Sequence, residues 1–425
     1  MDYPTLEKLF YKDTSSQRFD NHQEQLRLRL EAESTFRTGI MLEHGELFCA
    51  VPRELSLASE QVLRRERRVS ALWKALPTVA LGAFIRSLIL NEVVYSNQIE
   101  GVHSTRRQIE AALEEASRDT SALAGASEKI HPPFVEFARL YLGLTDSPNP
   151  PRSLQDIRSI YDAVVKDSLD ENDQINDSLF RAGPVFIESR GRVLHQGVSP
   201  EAAIKKMLSQ MLELVSSESI PEMYGALLAH FLFEYVHPFY DGNGRTGRYL
   251  LALNLSTPLS QPTALSLSRV IAENKNAYYK AFDLVERPLN CSEATHFVIT
   301  MLDLIGQAQD DLIANLEEKK GALEELCARV NSLDDSFSER ERDLLFYIGQ
   351  LTLFDAFGET DIKRTAAYLQ ASVPTTRKAL EQLRAREYLL RTSMRPAVYR
   401  LSQQGRAALG LGGVRTPADE VLSEV

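Results

Sequence analysis

The twelve residues His237-Pro238-Phe239-Tyr240-Asp241-Gly242-Asn243-Gly244-Arg245-Thr246-Gly247-Arg248 stand between two apolar stretches of the chain. Residues 221–236 before them have apolar side chains at helical spacing, and residues 249–255 after them form a second apolar run. Glycines such as Gly242 and Gly244 interrupt regular structure and let a ligand approach the backbone closely. A glycine-rich turn that leads into a helix presents free N–H groups and the positive end of the helix dipole. The pattern therefore predicts a phosphate site at the end of a buried helix.

The side chains of this turn support the same interpretation. Asp241 is a hard oxygen ligand of the kind that Mg²⁺ takes beside substrate phosphates. Arg245 and Arg248 are three residues apart, so they share one helix face and can fork onto phosphate oxygens. His237 is a base that works at neutral pH. Each residue alone has a simpler explanation as part of a turn or a solvated helix start, but the set together predicts nucleotide phosphate chemistry.

The same stretch resembles the signature of the Fic family, His-Pro-Phe-x-Asp/Glu-Gly-Asn-Gly-Arg-x-x-Arg, at every specified position. Most members of that family are adenylyltransferases, which move AMP from ATP to a protein hydroxyl and release pyrophosphate. The resemblance implies ATP and Mg²⁺ as ligands, a Ser, Thr or Tyr hydroxyl of a protein as acceptor, His237 as the general base and Asp241 as the metal ligand. The residues that would bind the phosphates are Gly242, Asn243, Gly244, Arg245 and Arg248.

A second segment, Ser96-Asn97-Gln98-Ile99-Glu100-Gly101, follows a strongly apolar stretch. Ser96 and Glu100 are four residues apart, so one lies above the other on a helix, and glycine is a common helix stop. A capped helix end explains the segment simply. It also resembles the inhibitory motif Ser/Thr-x-x-x-Glu-Gly/Asn of Fic proteins, in which the glutamate faces the active site. The resemblance implies that Glu100 pairs with Arg248, takes the place of the ATP γ-phosphate and inhibits the enzyme, while Ser96 helps to hold the helix end.

A third segment, residues 180–195, breaks the helical period. Two apolar triplets flank a polar turn that contains Gly191, which predicts a β-hairpin. A simple surface ribbon is the alternative. The segment resembles the flap of Fic proteins, which lies over the active site, and a hairpin edge can hold an extended target by strand addition. The expected docking residues are Val185, Phe186, Ile187, Val193, Leu194 and His195.

Asn276 and Tyr279 are the candidates for binding adenine. They lie in a segment, residues 267–282, where the Fic family often places residues that contact the base. An aromatic ring and an amide suit stacking and hydrogen bonding at the edge of a base. Ordinary core and cap residues are the alternative for both positions.

The C-terminal part has the element order of a winged helix-turn-helix: three predicted helices followed by two strands. Between Thr360 and Arg406 there are ten Lys/Arg and three Asp/Glu, a local net charge of +7. This basic segment is compatible with a contact with DNA, but such modules often serve as dimer or protein-docking domains, and that role is slightly favoured. The residues at the start of the expected recognition helix are Thr375, Thr376, Arg377 and Lys378.

These elements predict a mainly α protein: a Fic-type helical domain with one β-hairpin flap, and a C-terminal winged helix-turn-helix. Residues 1–25 are expected to be a partly ordered arm, and the apolar positions of residues 26–42 are interpreted as helical. The predicted divisions are an N-terminal helical region at 1–78, a catalytic domain with its inhibitory helix at 79–290, a helical connector at 291–335, the winged helix at 336–410 and a disordered tail at 411–425.

Composition narrows the class of protein. The 425 residues carry a formal net charge of −11, which argues against a protein that coats nucleic acid along its whole length. Three scattered cysteines show no metal-ligand spacing and predict thiols in a reducing compartment. No signal peptide is seen, no apolar run approaches the length that spans a membrane, and the expected location is the cytoplasm.

Three alternatives stay open from the sequence. The enzyme could transfer another group, such as UMP, phosphocholine or the γ-phosphate of a reversed nucleotide. Glu100 could orient a water, so that the same site removes AMP from a modified protein. The chain could instead be an ATP-sensing DNA-binding regulator. A homodimer with the charged residues 310–329 as its surface is a further alternative, while a solvated helical connector is the preferred interpretation of that segment.

Overall fold

The computed structural model describes residues 3–117, 131–146, 148–170, 173–175, 178–189 and 192–413. The chain divides into two compact units. One contains Met1–Arg67 and Ile89–Asp310, and the other contains Arg68–Leu88 and Asp311–Val425. The predicted surface loop at residues 117–129 lies almost wholly outside the described residues.

The N-terminal segment differs from its prediction. It forms two helices, α1 (Leu6–Lys12) and α2 (Arg18–Glu31), followed by the antiparallel strands β1 (Thr35–Leu42) and β2 (Gly45–Ala50). The expected arm is wrong because Leu6 and Phe10 are buried and fix α1 in place. The expected helix beyond Glu31 is also wrong, because apolar residues at every second position have the period of a strand.

Within the described residues, the rest of the first unit contains helices and one further hairpin, which confirms the predicted fold class. Its elements, some of which continue into the second unit, are α3 (Arg53–Lys74), α4 (Thr78–Ile99), α5 (Arg106–Ala116), α6 (Val135–Asp146), α7 (Leu154–Val165), β3 (Phe186–Ser189), β4 (Arg192–Gln196), α8 (Glu201–Val215), α9 (Glu222–Val236), α10 (Asn243–Leu255), α11 (Gln261–Ala264), α12 (Leu267–Glu273), α13 (Lys275–Glu286), a short 3-10 helix (Pro288–Asn290) and α14 (Thr295–Asn331).

The core of this unit is built on α9 and α10. Twelve of the fifteen residues of α9 and twelve of the thirteen residues of α10 are buried. A helix that is apolar on all sides is covered by neighbours on all sides, and α9 fits that rule. α10 is different, because its first turn buries polar residues, among them Asn243, Arg245 and Arg248. The quoted motif therefore joins the two central helices, and its polar side chains lie inside the protein.

Among the described residues, one helix is long and apolar enough by composition to cross a membrane, namely α4 with its 22 residues. This corrects the expectation that no apolar run reaches that length. Of the apolar stretch of this helix, 44% is buried inside the protein. A core helix passes the same test, so the finding alone does not assign α4 to a membrane.

The second unit contains the predicted C-terminal elements. They are α15 (Glu339–Phe354), β5 (Thr360–Asp361), α16 (Ile362–Tyr368), α17 (Val373–Ala385), β6 (Leu389–Met394), β7 (Ala397–Leu401) and α18 (Gln403–Ala408). The strands form an antiparallel sheet in the order β5-β7-β6. β5 and α18 were missing from the prediction, and the winged-helix and DNA-contact assignments stay predictions.

Hydrogen bonds fix the start of α15 and the last described residues of the chain. α15 begins with a capping box, in which the Glu341 carboxylate accepts a hydrogen bond from the Ser338 N–H at 2.9 Å. Leu411, the first residue of the predicted disordered tail, is buried instead, and its N–H donates to the Arg406 carbonyl at 2.7 Å. Residues 414–425 of that predicted tail lie outside the described residues.

Candidate active site

The backbone of the motif turns sharply at two positions. α9 ends at His237, which adopts a left-handed conformation with φ 49° and ψ 62°, and its N–H donates to the Phe233 carbonyl at 3.0 Å. Gly242 precedes α10 with φ 79°, and a Cβ at this position would lie 2.3 Å from Cγ1 of Val165. A side chain at Gly242 is therefore excluded both by conformation and by space.

Phe239 anchors the loop between these two turns. Its ring has no exposed surface and stacks on Tyr161, with centroids 3.5 Å apart and planes 8° from parallel. The Asn243 amide accepts from the Phe239 N–H at 2.9 Å and donates to the Phe239 carbonyl at 2.8 Å. The predicted phosphate-binding role of the Asn243 side chain is therefore corrected, because both of its polar atoms hold the loop.

His237 has the protonation state that a general base requires. Its Nδ1 is buried, and no hydrogen-bond partner of good geometry lies within the described part of the chain. Burial, with a contribution from the positive charges of His195 and Arg181, lowers the pKa of His237 to about 4, although the Glu234 carbonyl and the Glu100 carboxylate act in the opposite direction. At neutral pH the ring is therefore uncharged and can accept a proton.

Asp241 and Arg245 differ in accessibility. The Asp241 side chain keeps 48% of its surface exposed, whereas Arg245 has none. Arg245 donates to Ser168 Oγ at 2.6 Å and lies 3.4 Å from the Asp241 carboxylate. The Arg245 guanidinium is thus buried beside Asp241, and its role in binding the β- and γ-phosphates stays a prediction.

The residues around Asp241 fit a magnesium ion only in part. No group of three or more His, Cys, Asp or Glu side chains that could hold a metal ion occurs among the residues that the structure describes. Mg²⁺ is usually held by one or two carboxylates together with substrate phosphates. Asp241 can supply one such carboxylate, so its exposed position fits Mg²⁺ that arrives with a nucleotide.

Arg248 is paired with both residues of the predicted inhibitory segment. Its Nη1 lies 2.8 Å from Oε1 of Glu100, its Nε donates to Ser96 Oγ at 3.1 Å, and its Nη2 donates to the Ser96 carbonyl at 2.9 Å. Although burial alone would lower the pKa of Arg248, the Glu100 carboxylate raises it above its usual value. A Cβ on Gly244 would lie 2.2 Å from Oε1 of Glu100. The carboxylate therefore sits against the first turn of α10, where a phosphate was expected.

Residues 151–255 match the Fic/DOC family. This part of the chain matches a Fic domain. The chain is similar to the protein adenylyltransferase Fic of Drosophila grimshawi, with 25% identity over 279 residues that cover 62% of this chain and 53% of that protein. The Drosophila mojavensis protein of the same name is 28% identical over 196 residues, 44% of this chain and 37% of that protein. The chain thus spans about half or less of the length of these curated relatives.

The fold of the chain is shared with a solved structure. A Fic family protein from Desulfovibrio desulfuricans superposes with a TM-score of 0.51 and 19% sequence identity, covering 83% of this chain and 97% of that one. At this identity the likeness concerns the fold alone. It agrees with the predicted helical Fic architecture.

The flap of the Fic domain forms the predicted antiparallel hairpin, in which Phe186 pairs with Gln196 and Ile187 with His195. Phe186 is 48% exposed and available for docking. His195 is not, because its Nε2 donates to the Tyr235 carbonyl at 2.7 Å and its Nδ1 lies 2.5 Å from the Glu286 carboxylate. Burial opposes this pairing, yet Glu286 raises the pKa of His195 overall. The predicted docking role of the His195 side chain is corrected: it attaches β4 to its own domain.

The docking role predicted for the other flap residues stays a prediction. Val185 is partly exposed, and its carbonyl accepts from the Gly197 N–H at 3.0 Å. The side chains of Ile187, Val193 and Leu194 lie outside the described residues.

The two adenine candidates lie in the first half of α13, which begins after Asn274. Asn276 is exposed, and Tyr279 keeps 51% of its surface exposed. Burial of part of the ring and the nearby Glu100 charge raise the pKa of Tyr279. Tyr279 therefore lies close to the inhibitory carboxylate, and both residues stay candidates.

Two contacts of the Fic domain were missed by the sequence analysis. Lys275 Nζ donates to the carbonyls of Gln98 and Ile99 at 3.4 and 3.3 Å, so α13 holds the last turn before Glu100. Tyr240, at the variable position of the motif, accepts from the Gly183 N–H at 3.0 Å and holds the base of the flap. Neither contact has a local signal, because each partner is distant in sequence.

Proposed function

We propose that this chain is a protein adenylyltransferase that moves AMP from ATP to a Ser, Thr or Tyr hydroxyl of a protein. The observation that carries the proposal is the turn of residues 237–248, in which an uncharged His237 precedes a glycine-lined helix start that already holds a carboxylate. The curated relatives bear the name protein adenylyltransferase, which supports the same activity.

The residues would act as follows. The backbone N–H groups at the start of α10 and the Arg248 guanidinium bind the phosphates of ATP. Asp241 would hold Mg²⁺, which neutralises phosphate charge when it is bound. His237 takes the proton of the target hydroxyl, and the freed oxygen forms a bond to the α-phosphorus. The bond from that phosphorus to the bridging oxygen breaks, and pyrophosphate leaves.

The same proposal includes autoinhibition by Glu100. The carboxylate binds Arg248 at 2.8 Å and lies against Gly244, so it occupies positive groups that the γ end of ATP would use. Like charges at this point exclude each other, and ATP can bind productively only when Glu100 moves away. Tyr279 and Asn276 on α13 are the proposed contacts to adenine.

The identity of the transferred group tests this function. The Glu100→Gly protein is incubated with ATP labelled at the α-phosphate or at the γ-phosphate, first alone and then with a lysate. We expect label to enter protein from α-labelled ATP only, because AMP retains the α-phosphate. Incorporation from γ-labelled ATP would instead identify a phosphotransferase, and incorporation from α-labelled UTP would identify transfer of UMP. Label that persists in Glu100→Gly/His237→Ala protein would remove the site from the reaction.

Removal of AMP at the same site is the second candidate. It is favoured by one observation: the Glu100 carboxylate is close enough to influence the pKa of His237, and it keeps 26% of its surface exposed. A carboxylate in that position can orient a water. Incubation of an AMP-modified target with the unmutated chain in the absence of ATP tests this activity, and retention of all the AMP would exclude it.

A further inference from the structure

Arg181 is a buried cation held by backbone carbonyls. Its side chain has no exposed surface. Nε donates to the His237 carbonyl at 2.7 Å, Nη1 donates to the Gly183 carbonyl at 2.6 Å, and Nη2 donates to the carbonyls of Val198 and Val236 at 2.7 and 3.3 Å. Four carbonyl acceptors thus surround one guanidinium, which provides donors in a fixed planar geometry.

The four acceptors belong to two different parts of the domain. Gly183 and Val198 lie on the two chain segments that lead into and out of the flap hairpin, whereas Val236 and His237 end the central helix α9. Backbone hydrogen bonds reinforce the junction: the Arg181 N–H donates to the Pro238 carbonyl at 3.1 Å and the Val198 N–H to the Val236 carbonyl at 3.1 Å. Arg181 therefore joins the base of the flap to the residue that carries the proposed base.

Gly197 packs closely against both Arg181 and His237. A Cβ on Gly197 would lie 2.4 Å from Nη2 of Arg181 and 3.1 Å from Cβ of His237. The first distance is shorter than non-bonded atoms tolerate, so a side chain at this position would displace the guanidinium. Gly197 is thus a second position from which the same contact can be disturbed.

The charge of Arg181 also reaches His237. Burial lowers the pKa of Arg181, but a guanidinium remains protonated in proteins. Its positive charge is among the causes that lower the pKa of His237. Position and protonation of the histidine are therefore both coupled to Arg181.

We infer that Arg181 is a positioning residue for catalysis, which fixes the left-handed His237 and the target-docking flap in one rigid arrangement. The inference rests on the proposed adenylyl transfer. Arg181 does not contact the reacting atoms. It acts by holding the His237 carbonyl and both ends of the flap, so that a hydroxyl held by the flap meets the imidazole.

The test compares Arg181→Met, Arg181→Lys and Gly197→Ala in the Glu100→Gly background with a matched control, Arg158→Met. Arg158 also donates to backbone carbonyls, those of Ser178 and Ile175 at 2.8 and 2.9 Å, but it does not touch His237. The rate of transfer from α-labelled ATP and the KM for ATP are measured for each protein, with circular dichroism to confirm folding.

We expect Arg181→Met to lower kcat about 10²-fold, the size of effect that a small misplacement of a catalytic group can have. The KM for ATP should stay within about threefold, because the nucleotide is bound by α10. Gly197→Ala should lower kcat in the same way, and Arg181→Lys should retain part of the rate. Arg158→Met should leave kcat within about threefold of the parent.

A second measurement does not depend on activity. The imidazole of His237 is titrated by NMR, assigned by comparison with the His237→Ala protein, and its pKa should rise in Arg181→Met but not in Arg158→Met. If the parent protein transfers no AMP, the proposed function fails while this titration still tests the contact. An active parent with a folded Arg181→Met that keeps its kcat and the parent pKa of His237 would overturn the inference alone. If Arg181→Met does not fold, Gly197→Ala and Arg181→Lys decide it by the same criteria.

Discussion

Two buried arginines on either side of the motif loop are held in opposite ways. Arg248 is paired with the carboxylate of Glu100, which directly follows α4 and is far away in sequence, and that carboxylate keeps 26% of its surface exposed. Arg181 is enclosed by four backbone carbonyls and has no exposed surface. The first arrangement can be released when one side chain moves, whereas the second cannot be released without moving the main chain.

The difference suits two roles: the Arg248–Glu100 pair fits the proposed autoinhibition, and the Arg181 contacts fit a structural role. A buried charge whose partner is removed is strongly unfavourable, so Arg248 needs a replacement anion whenever Glu100 leaves. The phosphates of a nucleotide are such an anion. The hydrogen-bond acceptors of Arg181 given by the described residues are main-chain carbonyls, so these contacts with the flap and His237 do not depend on the position of another side chain.

The largest effect is expected at the fixed region. His237→Ala in the Glu100→Gly background should lower the rate of transfer about 10²–10⁴-fold, the usual contribution of a general base. ATP binding, measured by calorimetry, should be retained because the phosphate-binding groups are on α10. The exposed His103 provides a control, and His103→Ala should have parent activity. Parent-like turnover by His237→Ala would show that the base is elsewhere.

The next effect is expected at the releasable region. Glu100→Gly should raise automodification at least about tenfold, equivalent to about 1.4 kcal/mol. Glu100→Gln keeps the shape of the side chain but loses its charge, so its rate of automodification should lie between those of the parent and Glu100→Gly. Glu218→Gly, an exposed carboxylate in the loop after α8, serves as the control. Equal rates for the parent and Glu100→Gly would show that the pair with Arg248 does not inhibit.

A smaller effect sharpens the same region. Lys275→Ala removes two long hydrogen bonds to the last turn before Glu100 and should raise basal transfer about two- to fivefold, from a net loss of about 0.5–1 kcal/mol. Lys280→Ala on the same helix is the control. In the Glu100→Gly background Lys275→Ala should have no further effect on the rate. A further rise there would mean that Lys275 acts on transfer by a route other than the carboxylate.

The smallest effect concerns pH. Because the pKa of His237 is lowered to about 4, its neutral form persists well below the ordinary value for histidine. The Glu100→Gly rate should therefore change less than about twofold between pH 7.5 and 5.5, whereas a base of ordinary pKa near 6.5 would lose most of its active form. A steep acid limb near 6.5 would contradict the burial of His237. The same measurement on Arg181→Met should move the acid limb upward.

Much of the fold was accessible from sequence because its signals are local. Helical periodicity over residues 221–236 predicted α9 to within one residue, and the apolar segments around Gly191 predicted the β3–β4 hairpin. Prediction failed at β1, where alternating apolar positions were interpreted as a helix. The period of apolar residues is weak evidence over short segments, and tertiary burial then decides between helix and strand.

The residues of the candidate site were likewise predicted in part from the sequence. The pairing of Glu100 with Arg248 agrees with the expectation, because the motif residues are specified by type and spacing. The Asn243 side chain was assigned to phosphate but is bound to the Phe239 backbone, and Arg245, which stays a phosphate candidate, donates to Ser168. Residue type alone does not show whether a polar side chain has already satisfied its hydrogen bonds within the fold.

The sequence by itself determined the chemistry of the turn: an imidazole, a carboxylate and a glycine-lined helix start follow one another within twelve residues. Only the tertiary structure decided how that turn is held. Ser96 contacts Arg248 across 152 residues of chain, and Arg181 reaches His237 across 56. Such partners are decided by packing, because a buried guanidinium donates to whichever carboxylate or carbonyl the folded chain brings within hydrogen-bonding distance.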